Sequence, residues 1–384
     1  MISSISVPLV MVPSTKRGWF FKQKDSILDH RATGFDAVET YYTMPCGHIL
    51  ENPSHISILN SKLTPELGNI TSHLVEEIEN GLKDLWGTET EHWQEIDLWD
   101  SIMSLVTRSF GRVLVDRPLC EDKQYLYNTR LYVSSIHATS AIIRTLPSWT
   151  KPVLGRIISL PCWYYYWRGK QQIIPLIKAC LTEGYKELAG EEFTSRNTLV
   201  MWMVRTALKT QKPLEVDPET IYARLMTLNF AGIHTSTFTI VNCLLDTLSE
   251  LNVFQQITDE TVQVYRHYDQ NWTKAAIDEL KFLDRAIRES IRLSGPIVRL
   301  LREVATESGI NIDGVNLPKG TKVAIDLLHL HHDNAIYKNA KKFDVNRLAP
   351  FNKGEMPPLV TTSEQFLGFG HGRVSCYNFD SSTC

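Results

Sequence analysis

The most restrictive feature of this chain begins at Asp217-Pro218-Glu219, where an apolar-rich run without a later proline continues to Leu251. Aspartate at the N-cap and proline at the first helical position form a start signal. The carboxylate accepts an orphan backbone N–H, and the N–H that proline lacks is not needed there. At 1.5 Å per residue the run predicts a helix of roughly 50 Å, far above the average length. From about residue 55 the rest of the chain also reads as mostly helical. In Ile70-Thr-Ser-His-Leu74-Val75-Glu-Glu-Ile78-Glu-Asn-Gly-Leu82-Lys-Asp-Leu85-Trp86 the apolar residues recur at steps of three and four, giving one buried face. A further helix over about 272–294 carries Leu280, Leu283, Ile287 and Ile291 on one side. Strand-like sequence is confined to about 6–12 and to the region after Pro296. There Asp313-Gly314 and Pro318-Lys319-Gly320 mark turns, and Val323-Ala-Ile-Asp-Leu fits a strand. The expected fold class is mainly α with a minor β part (α+β). It is read as one domain over 1–384, because no linker, low-complexity tract or repeat marks a boundary.

Composition narrows the function classes. With 384 residues, 43% hydrophobic and 22% charged, the chain is long enough to bury a substantial core. A formal net charge of -3 gives no basic excess for nucleic acid. The seven cysteines are odd in number, scattered and without a CxxC pair, which argues against a disulfide scaffold or structural zinc and for a reducing compartment. The apolar N-terminus is short, lacks a charged leader and is interrupted by Pro8 and Pro13; no run of 18 apolar residues occurs. Trp163-Tyr164-Tyr165-Tyr166-Trp167 lies between Pro147, Pro152, Pro161 and Pro175. It fits a membrane interface, an access channel or, equally, core packing between helices.

Four segments carry chemistry. Phe369-Gly370-His371-Gly372-Arg373-Val374-Ser375-Cys376 places one cysteine at the end of a glycine-rich loop. Gly370 and Gly372 permit a tight turn. The loop lacks the GxGxxG spacing of a nucleotide site. Glu289 and Arg292 stand at i, i+3 on one helical face. Phe343-Asp344-Val345-Asn346-Arg347-Leu348 offers a second arginine, and Phe230-Ala231-Gly232-Ile233-His234-Thr235-Ser236 puts small and polar residues in the middle of the long helix. Singly, each has a bland reading as a surface loop, a solvated ion pair or a tolerated helix interior.

Together, and in their order along the chain (230–236, 289–292, 343–348, 369–376), they resemble the cytochrome P450 superfamily of haem-thiolate monooxygenases, over about residues 55–376. Gly314-Val-Asn-Leu-Pro-Lys-Gly-Thr321 resembles that family's hairpin, and His234 and Asn271-Trp272-Thr273-Lys274 resemble its filamentous-fungal members. The resemblance implies the cytochrome P450 fold and haem b held by Cys376 as axial iron ligand. A thiolate ligand pushes electron density toward bound dioxygen. Loop N–H groups would lower the sulfur's basicity, Phe369 would shield it, and Gly370, Gly372 and Arg373 would complete the cofactor loop. Glu289, Arg292 and Arg347 would form a buried charge-assisted network behind it. Gly232 would leave room for dioxygen, and Thr235 with His234 would relay protons. The implied reaction inserts one oxygen atom into an apolar small molecule, a terpenoid, indole or polyketide intermediate of secondary metabolism. Electrons would come from NADPH through NADPH-cytochrome P450 reductase. The implied partners include no nucleic acid, with peripheral membrane contact around Trp163–Trp167.

The chain departs from the pattern in places. Members carry an anchor to the endoplasmic reticulum membrane, a proline-rich hinge and a first sheet segment. This chain starts near the residues that follow them, so it is expected to be soluble or peripheral and incomplete at both ends. Asn378 stands where a glycine is usual, and Val374 and Asn60 where basic residues are usual, with Lys62 nearby. These departures support an alternative, a truncated and catalytically incompetent remnant. A reading from another class is a metal hydrolase built on His329-Leu-His331-His332-Asp333.

Overall fold

The long helix starts where the sequence places it. Asp217 is the N-cap, its carboxylate accepts the Thr220 N–H at 3.2 Å, and the helix runs over Pro218–Ser249. The computed structural model describes residues 9–30, 37–45, 49, 52–89, 91–191, 196–348, 359–372, 375 and 376. Its longer helices are α1 (Thr64–Trp86), α2 (Leu98–Leu114), α3 (Lys123–Ile143), α4 (Leu160–Leu188), α5 (Leu199–Thr210), α6 (Pro218–Ser249), α7 (Leu251–His267) and α8 (Lys281–Ser294). Asp97, Asp122 and Thr198 cap α2, α3 and α5 with side-chain oxygens on backbone N–H groups.

Helix α6 packs against α2, α3, α4 and α8, and α3 lies along α4. Residues Leu199 to Val204 of α5 are all buried, so the first half of this helix is apolar on every side and sits inside the helical core. That core joins Tyr125, Tyr132 and Ile136 of α3, Ile173 and Ile177 of α4, and Ile221, Tyr222 and Leu225 of α6.

The strands form a separate, smaller layer. β1 (Leu9–Met11), β2 (Leu28–Asp29), β3 (Arg299–Val304) and β6 (Lys322–Asp326) make a sheet in the order β1-β6-β3-β2, with only the β1–β6 pair parallel. β4 (Ile310–Ile312) and β5 (Val315–Leu317) form a hairpin. Its central residues Asp313 and Gly314 both have positive φ, 48° and 88°, as a tight two-residue hairpin turn requires.

Several expectations change. The strand anticipated at 6–12 is present over Leu9–Met11, and residues 6–8 lie outside the described ones. The long helix stops at Ser249, since Glu250 leaves helical geometry and α7 restarts at Leu251. The helix anticipated over 272–294 is two, a short one at Lys274–Asp278 and α8, parted at Glu279-Leu280. On α8 the buried residues include Arg288, Glu289 and Arg292 beside Phe282, Ala286 and Ile291, so its inner face is charged as well as apolar. The aromatic cluster belongs to α4 and divides. Tyr165 and Tyr166 pack on the core, whereas Trp163, Tyr164 and Trp167 are exposed. Among the described residues no helix is long and apolar enough to cross a membrane.

Candidate active site

The cysteine loop is a set of backbone turns. The Gly370 N–H donates to the Leu367 carbonyl at 2.9 Å, Ser375 N–H to Gly372 at 3.1 Å and Cys376 N–H to Phe369 at 2.8 Å. Gly370 and Gly372 have φ of 76° and 70°, a region where a Cβ is strained, so glycine is needed at both. The fold leaves Ser375 buried and Cys376 with one side exposed. Phe369 is half-buried, its ring 6.5 Å from that of Phe366. Burial pushes the Cys376 thiol up, since an apolar surround disfavours the thiolate. This is opposite to the lowering expected of loop N–H groups, so a thiolate here depends on the metal ion it would bind. Arg373, Val374 and Asn378 lie outside the described residues.

The loop rests on α8 and on the turn after β6. Gly368 lies against Ile291, where a side chain would collide. The Leu367 N–H donates to Nε2 of buried His331 at 3.1 Å, and Phe366 stacks on that imidazole at 5.8 Å. Phe366 also lies 3.7 Å from the Arg288 guanidinium, which donates to the carbonyls of Leu359 at 2.8 Å and Thr361 at 2.7 Å. Arg288 was not singled out from sequence, and His331 was singled out only as a metal ligand of the hydrolase reading. The available signal was an arginine on the inner face of an amphipathic helix.

Glu289, Arg292 and Arg347 are brought together. Glu289 is fully buried and accepts from Arg292 Nε and Nη2, both at 2.8 Å, from Arg347 Nε at 3.0 Å and from the Asp344 N–H at 3.2 Å. Arg292 also donates to the His331 carbonyl, and Arg347 Nη2 to Asn339 and Lys342 carbonyls at 3.0 Å each. One carboxylate thus joins α8, the His331 turn and the segment around Arg347. The hydrolase reading fails here: His331 Nε2 is taken by the loop, His332 Nε2 is 3.1 Å from the Leu293 carbonyl, and His329 points to solvent.

On α6, Ala231, Thr235 and Phe238 recur at four- and three-residue steps along an open face. The Thr235 hydroxyl donates to the Ala231 carbonyl at 2.7 Å. Gly232 departs from the expectation of space for dioxygen. The Phe110 ring of α2 fills the place a side chain would take, so Gly232 permits close helix approach, and Ala231 is the small residue on the open face. His234 turns from Thr235 toward α3, its Nε2 3.5 Å from the Ser134 hydroxyl and its ring 4.3 Å from His137. Burial, with His137 second, holds its pKa down to about 4. The Asp246 carboxylate accepts from Ser290 at 2.6 Å and ties α6 to α8, the helix that seats the loop.

His331 predicts an acid sensitivity. Burial, then Arg292, lowers its pKa to about 4 from 6.5. The unfolded chain therefore binds the proton first as pH falls, and stability contributed by neutral His331 is present above pH 6.5 and lost toward about 4. The loss is on the order of 3 kcal/mol. His331→Phe should flatten the slope of stability against pH in that window, read by chemical denaturation. It should also cost about 1–3 kcal/mol at neutral pH, because the Leu367 N–H loses its acceptor.

Comparison with known proteins decides the family. The sequence model described as Cytochrome P450 matches residues 24–377. This chain belongs to the cytochrome P450 family. It is 26% identical over 393 residues to cytochrome P450 monooxygenase htyF of Aspergillus rugulosus, covering 96% of this chain and 57% of that protein. It is 28% identical to cytochrome P450 monooxygenase 151 of Postia placenta (91% and 71% covered) and 28% to olcJ of Penicillium canescens (85% and 61%). The chain thus spans about three fifths to seven tenths of the length of these curated relatives. Retinoic acid bound cyanobacterial CYP120A1 matches with a TM-score of 0.70 at 16% identity, covering 97% of this chain and 78% of that one, which shows the shared mainly α fold.

The family implies a haem-iron cofactor, and the residues described fit one. Cys376 offers a soft thiolate donor with one side open, on a loop braced from behind. Arg17 Nε and Nη1 are buried without a partner among the described residues, on a short helix whose Phe21 packs edge-on to His371 of the loop at 5.0 Å. Such a cation suits a carboxylate at the rim of a haem.

Proposed function

We propose that this chain is the oxygen-activating part of a haem-thiolate monooxygenase that inserts one oxygen atom into an apolar small molecule, of the terpenoid, indole or polyketide type made in secondary metabolism. The reading rests on one arrangement: the cysteine loop and α6, with its open Ala231, Thr235 and Phe238 face, are both packed on α8. When bound, the haem iron supplies reductive activation of dioxygen. Cys376 holds the metal, with Phe369, Gly370, Gly372 and Arg373 as its loop. Glu289, Arg292 and Arg347 keep the loop's seat from shifting. Thr235 holds a proton at its hydroxyl on the open face, and His234 holds one behind it. Ala231 and Phe238 offer apolar contact to substrate.

Electrons would come from NADPH through a cytochrome P450 reductase. Peripheral contact with a membrane such as the endoplasmic reticulum is supported by the exposed Trp163, Tyr164 and Trp167, beside exposed Trp149, Val153 and Ile157. No aspartate or glutamate occurs between Asp122 and Glu183, as suits an anionic surface.

The deciding test is the carbon monoxide difference spectrum of the reduced protein, expressed with haem precursor. A red-shifted Soret band is expected. No haem signal would favour an incompetent remnant. Thr235→Ala tests proton delivery. The side chain is exposed and bonded only within its own helix, so stability should change by about 0.5 kcal/mol or less. Substrate oxidised per NADPH should fall severalfold, with peroxide released instead, by about 10²-fold at the limit for a lost proton donor. Unchanged coupling would remove Thr235 from this role.

A further inference from the structure

None of the motifs contains His137, yet it makes the closest ring contact of the oxygen-activating segment. It projects from α3, and its imidazole meets that of His234 edge to face, with centroids 4.3 Å apart and planes at 79°. Its other neighbour is Phe230, on which it stacks at 5.1 Å and 28°. One turn earlier on α3, the Ser134 hydroxyl lies 3.5 Å from His234 Nε2. Trp99 of α2 closes a third side, 6.0 Å from the His234 ring and 6.4 Å from Phe238. His234 is half-buried inside this cage, whereas His137 reaches the surface. Two imidazoles at this separation repel if both are protonated.

We propose that His137 is a positioning residue for oxygen activation: it fixes the His234 ring against α3 and, by like-charge exclusion, keeps the two imidazoles from being protonated together, so that His234 is held neutral. This rests on the reading that α6 delivers protons. Burial first, then His137, lowers the His234 pKa to about 4, and burial lowers that of His137. Among the described residues the other groups around His234 carry no charge. They are Ser134 from α3 and Trp99 from α2, with Phe230 stacked on His137 and Phe238 against Trp99; Asp100, next to Trp99, is engaged by Arg130. His137 is thus the titratable partner set against His234, and exchange of a proton through the surface-reaching ring needs no other co-reactant than water.

The test needs no turnover. The full chain, labelled with carbon-13 in its histidine rings, is titrated by NMR as wild type, His137→Phe and His137→Gln. Phenylalanine keeps the stack on Phe230 and removes the titratable ring; glutamine repeats the test should the aromatic variant fail to fold. The His234 midpoint is expected to rise by about one unit in the variants, toward the ordinary imidazole value. A midpoint unmoved in every folded variant overturns the proposal. In the haem-loaded protein, His137→Phe is expected to raise peroxide release severalfold and to shift its pH profile. If His234→Ala raises peroxide release and His137→Phe does not, the proposal falls while proton delivery by α6 stands. If His234→Ala has no effect, the relay reading itself falls, whatever the titration shows.

Discussion

Cys376→Ser is expected to abolish the red-shifted Soret band of the reduced carbon monoxide complex and to lower haem content, while the apoprotein unfolds at nearly the same denaturant concentration. The spectral effect should be complete, because a serine hydroxyl at neutral pH is not an anionic sulfur donor and lacks its electron push. The stability effect should be within about 0.5 kcal/mol, because Cys376 has one side open and its contribution to the loop is a backbone N–H that serine retains. The two readouts together separate loss of a ligand from loss of a fold. The other described cysteines, Cys120, Cys162, Cys180 and Cys243, are buried in the core, and burial raises the thiol pKa of each. An unchanged spectrum in Cys376→Ser would sink the assignment of the iron ligand.

The second large effect is structural. Glu289→Gln removes the one negative charge between two guanidinium groups at a fully buried position. Breaking a buried pair from one side strands charge in a low dielectric, at about 3–5 kcal/mol. Against a total stability of about 5–15 kcal/mol, this would lower the urea midpoint sharply. Haem retention should fall with it, since Arg292 also holds the His331 carbonyl and His331 Nε2 holds the loop through Leu367. A cost below about 1 kcal/mol, the range of surface pairs, would show that the cluster is solvated in solution. Replacing Glu289, Arg292 and Arg347 together with apolar residues of similar volume should cost less stability than Glu289→Gln alone, because no unpaired charge remains.

Much of the fold was legible. Capping chemistry is local, so Asp217-Pro218 announced α6 and Asp313-Gly314 the hairpin. The end of α6 was not legible, because Glu250 breaks the helix without glycine or proline; neither was the split at Glu279-Leu280. The inner face of α8 was misjudged for a related reason. A sequence period places Arg288 on that face, but it does not disclose that the Leu359 and Thr361 carbonyls wait there to satisfy it.

By itself the sequence determined the order of the motifs, the cysteine that ends a glycine-rich loop, and the spacing that sets Glu289 beside Arg292. Each of these is a property of neighbours along the chain, governed by helical period and turn chemistry. Tertiary structure alone decided that Phe110 occupies the space beside Gly232, that His234 turns away from Thr235 to meet His137, and that His331 supports the cysteine loop. Those outcomes depend on which helices meet and at what distance. Contacts between residues far apart in the chain are set by the packing of the whole core, which no local pattern encodes.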